Sequence, residues 1–179
     1  MSGRILPMFT HERSAGRDEW LTPREIIQAV GPFDLDPCAP LVRPWPTADR
    51  HYTLEDDGFW RPWAGRVWLN PPYGAETGRW MGKMAAHGDG VALVFARTDT
   101  GWWQDFVMPC ASAVLFLRGR LTFCNVDGST APNPAGAPSA LIAYGWGCAA
   151  RIRHSGLRGA YVLLGRQNVA MVPPKEVRP

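Results

Sequence analysis

Apolar residues fall along this chain in short blocks divided by turn formers, and the blocks alternate between strand-like runs and helix-like spacing. Val67-Trp68-Leu69 is continuous, β-branched and aromatic, and predicts an interior strand over 67–69. Pro71 and Pro72 have no N–H for a ladder and fix their own φ, so this strand must end at Asn70. Runs over 91–96 and 113–117 predict two more buried strands, and 33–39, 139–144 and 161–164 predict further ones. Thr22-Pro23-Arg24-Glu25 reads as a capping box with Thr22 at the N-cap and Pro23 at the first helical position. It opens a helix whose Ile26, Ile27 and Val30 face a core and which Gly31-Pro32 ends. Trp80, Met81 and Met84 mark a second helix over 76–87, stopped by Gly88. A polar loop then leads into a third helix through Phe106 and Val107, with Asp99 or Thr100 as N-cap. Strands alternating with helices from Phe33 to Leu117 predict an α/β domain with an open, mostly parallel sheet and helices on both faces.

Composition narrows the picture only a little. A chain of 179 residues with 46% hydrophobic content fits one domain of ordinary size, expected over 18–172 between a loose arm at 1–17 and a tail at 173–179. Nineteen Lys plus Arg against 16 Asp plus Glu give a net charge of +3, compatible with a nucleic-acid partner without requiring one. Only Lys83 and Lys175 are lysines, and the planar arginine fork suits phosphate and base edges, although a genomic composition bias gives the same excess. Cys38, Cys110, Cys124 and Cys148 form no CxxC pair and no zinc-type spacing, which predicts reduced thiols, no metal site and a cytoplasmic location. No signal-peptide h-region or run long enough to span a membrane is present, so no membrane partner is expected. Trp20, Trp45, Trp60, Trp63, Trp102 and Trp103 lie in or beside predicted loops, where exposed rings would meet bases or a cofactor.

Chemistry concentrates where the apolar runs stop. Asn70 offers an amide oxygen and Pro71 a carbonyl at a strand's carboxyl end, the edge where open α/β sheets bind ligands. Together they can accept both hydrogens of an exocyclic amino group, and Tyr73 supplies a face for a planar base. The bare reading is a turn with two prolines and a packing tyrosine; an Asn directly after an apolar strand favours a site. In Phe33-Asp34-Leu35-Asp36-Pro37-Cys38-Ala39 two acids share one strand face, and Asp36 at its end suits either the amine of an amino-acid-like ligand or a ribose hydroxyl. The long irregular connection over 40–65 carries Asp57-Gly58-Phe59-Trp60, which reads either as a solvated turn or as an acid beside rings that hold a purine.

The ordered set Asp18-Glu19-Trp20-Leu21-Thr22-Pro23, Phe33 to Ala39, Asp57-Gly58, Asn70-Pro71-Pro72-Tyr73 and Arg118-Gly119-Arg120-Leu121-Thr122-Phe123 resembles the phage and prophage DNA N6-adenine methyltransferases. The resemblance implies a single class I, Rossmann-like domain and S-adenosylmethionine as the small-molecule donor. Carried over by position, Trp20, Thr22 and Pro23 resemble the entrance segment at the donor's methionine part. Asp36 and Pro37 correspond to the turn after the first strand, and Asp57 to the acid that recognises the donor's adenine. Asn70, Pro71, Pro72 and Tyr73 resemble the clamp on the target amino group. The glycine-rich FxGxG loop of wider methyltransferases is absent, which leaves the ribose partner unassigned. With no room for a separate recognition domain, the DNA contacts are expected from Arg97, Arg118 and Arg120 and an insertion over 118–138, with a short or relaxed target site. Two other readings are an acceptor that is an RNA base or a glutamine amide, and a non-catalytic module that binds single-stranded nucleic acid.

Overall fold

The computed structural model describes residues 20–165, so the arm at 1–17 and the tail at 173–179 lie outside the described residues. Its elements run α1 (Arg24–Val30), β1 (Leu35–Asp36), β2 (Arg50–His51), β3 (Val67–Leu69), α2 (Thr77–His87), β4 (Gly90–Phe95), a π-helical segment (Trp103–Val107), β5 (Ala113–Leu117), β6 (Ser139–Tyr144), α3 (Trp146–Arg153) and β7 (Gly159–Leu163).

Among the described residues seven strands make one sheet in the order β2-β1-β3-β4-β6-β5-β7. Alternation along each strand sorts the core into two layers. Trp68, Val91, Leu93, Leu115 and Leu141 pack with Ile26, Ile27 and Val30 of α1 and Ile152 of α3. Val67, Leu69, Val94, Val114 and Ile142 pack with Trp80, Met81 and Met84 of α2 and with Trp103 and Val107. Helices therefore cover both faces, as the pattern predicts.

The expected mostly parallel sheet needs correction. β1 pairs in parallel with β2 and β3, and β3 with β4, but the pairings β4–β6, β6–β5 and β5–β7 are antiparallel and carry most of the registered residues. The physical reason is the connection over 118–138: it contains no helix to carry the chain across a sheet face, so it returns β6 antiparallel beside β5. β5 keeps the direction of β1 to β4, and β6 lies reversed between β4 and β5.

The expected capping box is also absent. Pro23, not Thr22, sits at the N-cap of α1, no side chain caps the helix, and the buried Thr22 Oγ1 has no hydrogen-bond partner. Neither Asp99 nor Thr100 caps the third helix by its side chain; the Thr100 hydroxyl donates back to the Arg97 carbonyl. α3 escapes the hydrophobic pattern because glycine and alanine dilute its apolar face. No helix among the described residues is long and apolar enough to cross a membrane.

Candidate active site

Four chain segments converge at the carboxyl ends of β1 and β3: 20–22, 36–40, 53–58 and 70–73. Between them lies a cavity of about 510 Å³ lined by Trp20, Thr22, Asp36, Pro37, Asp57, Trp68 and Asn70 through Tyr73. A second cavity of about 950 Å³ shares Trp20, Leu54, Asp57, Pro72, Tyr73 and Trp80 with the first, and adds Trp60, Arg79, Phe95, Phe123 and residues 133–136. Pro72 and Tyr73 thus stand in the wall between the two chambers, with Asn70 and Pro71 beside them on the side of the first.

Asp36 is the buried charge of the first chamber, only 2% exposed. Its carboxylate accepts from the Cys38 amide at 3.0 Å and from the Thr47 hydroxyl. Burial pushes its pKa up to about 6, opposed by those two bonds and by Arg43. Thr47 is itself held: the amides of Thr47 and Ala48 both donate to His51 Nε2 at 3.3 Å, which requires that nitrogen unprotonated. Burial lowers the His51 pKa, in keeping with that role. Asp34 does not join Asp36 in the chamber. It is exposed and accepts the Arg66 amide at 2.5 Å, so it tethers β3 instead.

The acids near Gly58 divide their work. Asp56 accepts from the Thr53 amide and hydroxyl and closes a turn. Asp57 adopts φ 52°, the one left-handed non-glycine among the described residues, and lines both chambers. Lys83 of α2 pins this loop by donating to the carbonyls of Phe59 and Arg61. Gly58 is needed for close approach, since a Cβ there would sit 2.0 Å from the Pro37 carbonyl oxygen.

At the dividing wall, Asn70 Nδ2 donates to the Trp20 carbonyl at 3.2 Å, and Asn70 Oδ1 accepts from the Tyr73 hydroxyl at 3.1 Å. The first bond fixes the amide's orientation, because the flipped amide would set two oxygens against each other. Tyr73 stacks on Phe95 with centroids 4.2 Å apart and meets Phe123 edge-on at 6.3 Å. One of its two faces is therefore covered by Phe95. Burial raises the Tyr73 pKa well above its ordinary value, so the hydroxyl stays a donor.

A family profile described as DNA N-6-adenine-methyltransferase (Dam) matches residues 10–146. The chain belongs to that family. A DNA N-6-adenine-methyltransferase of Escherichia phage T1 is 28% identical over 129 residues, covering 67% of this chain and 52% of that protein. The chain thus spans about half the length of the curated relative it matches. No solved structure matches it.

The Dam-family match contains every candidate site residue drawn from the sequence. The fold brings Trp20, Thr22, Asp36, Pro37, Asp57, Asn70, Pro71, Pro72 and Tyr73 to one chamber. Pro23 is not among them; it lines an adjoining cleft with Arg118 and Arg120, because Thr22 and Pro23 turn to opposite sides of their segment. Arg97 is exposed and lines none of the chambers described. Trp103 is 1% exposed and serves the core, so it offers no ring to a ligand. Sequence reasoning passes over Thr47, Phe95 and Arg79. Thr47 lies in a proline-rich stretch with no period, and Phe95 reads as one more residue of a buried strand.

Proposed function

We propose that this Dam-family chain methylates the N6 amino group of adenine in DNA, with S-adenosylmethionine in the first chamber and an extruded adenine in the second. The observation that carries this is that Asn70 through Tyr73 all line the first chamber while Pro72 and Tyr73 also line the second, which puts the segment at the junction of the two. A class I reading of the domain draws support from the common direction of β1 to β5 and from helices on both sheet faces.

The residues of the first chamber fit the donor. Thr22 Oγ1 is buried without a partner and lines the chamber, so a ligand group can complete it. Asp36 and Pro37 would hold the amino-acid end, where a cationic amine offsets the burial of the carboxylate, and Asp57 would accept from the donor's adenine amino group. When bound, S-adenosylmethionine supplies a methyl group activated by a sulfonium.

Asn70 Oδ1 and the Pro71 carbonyl accept the two hydrogens of the target amino group. That pairing favours a pyramidal nitrogen with its lone pair directed toward the first chamber, and it stabilises the positive charge that develops there. The Tyr73 hydroxyl occupies Asn70 Oδ1 until the target arrives, and the Trp20 carbonyl keeps the amide aimed throughout. Adenine N6 is inaccessible to this wall inside a duplex, so the base must leave the stack. Phe123 and residues 133–136, from the connection over 118–138, close the target chamber. Target choice then rests with a short segment, which accords with a short or relaxed site read in the host cytoplasm, with Arg97, Arg118 and Arg120 on the flanking DNA.

The test is label transfer from methyl-tritiated donor to DNA, with RNA and protein acceptors in competition. Asn70→Ala is expected to lose about 10²–10³ in rate while retaining donor binding. Equal incorporation by the variant, or preferential labelling of RNA or protein, overturns the reading.

A further inference from the structure

We infer that Arg24, Arg118, Arg120 and Arg158 form a separate phosphate-backbone site, which holds duplex DNA beside the target while taking no part in the chemistry. The inference rests on the DNA reading above and adds Arg24 and Arg158 to it.

These arginines come from three places in the chain: the start of α1, the stretch after β5 and the residue before β7. They line one open cleft of about 760 Å³ in which Glu25 is the sole carboxylate among the lining residues. Four guanidinium groups against one carboxylate leave an excess of three positive charges, as large as the formal net charge of the whole chain. None of the four is paired with a described residue: the one salt bridge among the described residues joins Arg79 to Glu76 elsewhere. All four residues are exposed. A main-chain bond holds two of them side by side, the Arg118 amide donating to the Arg158 carbonyl at 2.9 Å. Unpaired like charges gathered this way repel one another, and a polyanion relieves the repulsion.

The cleft's position selects the ligand. Thr122 and Cys124 face it, whereas Phe123 between them lines the target chamber. One extended segment therefore separates the arginines from the place proposed for the extruded adenine. An open cleft with forks spread over three elements does not enclose a small anion, but it suits successive phosphates of a backbone, which planar guanidinium groups grip well.

The experiment measures anisotropy of the full chain on a labelled duplex extending past the target on both sides, between about 50 and about 200 mM salt. Removing one arginine from its phosphate should reduce the slope of log K against log salt by about 0.9, so R24Q/R158Q should lower it by about 1.8. R158Q alone should give about half of that reduction, and R158K should restore the wild-type slope. Donor-induced thermal stabilisation, which does not involve these residues, reports that each variant is folded. An unchanged slope in R24Q/R158Q or R158Q, with wild type binding and methylating DNA, overturns this inference and leaves the function standing. Failure of wild type to bind or methylate DNA removes both.

Discussion

Asp36→Asn is expected to make the donor-free protein more stable at neutral pH while weakening its grip on the donor. The wild-type carboxyl is raised from 3.8 to about 6, chiefly by burial. A displacement of about two pKa units corresponds to about 3 kcal/mol against the ionised form in the folded state. Between those two values the folded protein binds more protons than the unfolded chain, so stability falls as pH rises through the window and stays lower above it. Asparagine removes the charge and keeps the local bonds: its oxygen accepts the Cys38 amide, and its amide donates to Thr47 once that hydroxyl turns. Urea unfolding of both proteins from pH 4 to pH 8 isolates the effect, because other groups cancel in the difference. The variant should gain up to about 3 kcal/mol over wild type by neutral pH, or about 6–12 °C in Tm for a chain of this size. The donor should reverse the order, since a cationic ligand favours ionised Asp36 and stabilises wild type more above pH 6 than below it. A stability difference that stays constant across the pH range, or a variant less stable at neutral pH, refutes the assignment of Asp36 as a buried, ligand-awaiting carboxylate.

Thr22→Val removes an orphaned buried hydroxyl and should raise the thermal stability of the donor-free protein by about 1–3 kcal/mol, while calorimetry shows weaker donor binding. A drop in stability would mean that the hydroxyl has a partner. Tyr73→Phe keeps the stack on Phe95 but frees Asn70 Oδ1, so melting should be nearly unchanged and methyl transfer should change less than tenfold. Tyr73→Ala removes the ring as well and should lower stability by about 3 kcal/mol, with a far larger reduction in transfer. Gly58→Ala drives a Cβ into the Pro37 carbonyl and should abolish the donor-induced thermal shift, whereas the exposed Gly136, with open space around it, should accept alanine silently.

The fold is legible in the sequence wherever one strong local signal decides an element. Val67-Trp68-Leu69 stopped by two prolines, and α2 ended by the left-handed Gly88, stand at the expected places within a residue. What a local pattern cannot convey depends on neighbours in space. Strand direction on the β5 side follows from the lack of a crossover helix in 118–138, and apolar runs look alike in parallel and antiparallel pairs. β2 has two residues, Arg50 and His51, and exists only because β1 offers them a parallel edge. α3 packs through Cys148, Ala149 and Ile152 against α1 and the sheet, and its sequence resembles a loop until those partners are known.

The site divides along the same line. Asp36, Asp57 and Asn70 through Tyr73 are visible in the sequence because each combines an unusual side chain with a strand end or a glycine turn. The bonds that give them properties come from far along the chain. Asn70 is aimed by a backbone carbonyl at Trp20, fifty positions away, and a carbonyl leaves no mark in a sequence because every residue has one. Asp36 is tuned by Thr47, which is set by His51, and neither stands out in a stretch of prolines. Residue type therefore announces which groups can do the chemistry, while their readiness depends on bonds that only the folded chain supplies. The same separation explains the arginines: Arg118 and Arg120 form a conspicuous pair, but only the approach of Arg24 and Arg158 makes them a surface, on a cleft that adjoins the chambers without sharing Asn70 through Tyr73.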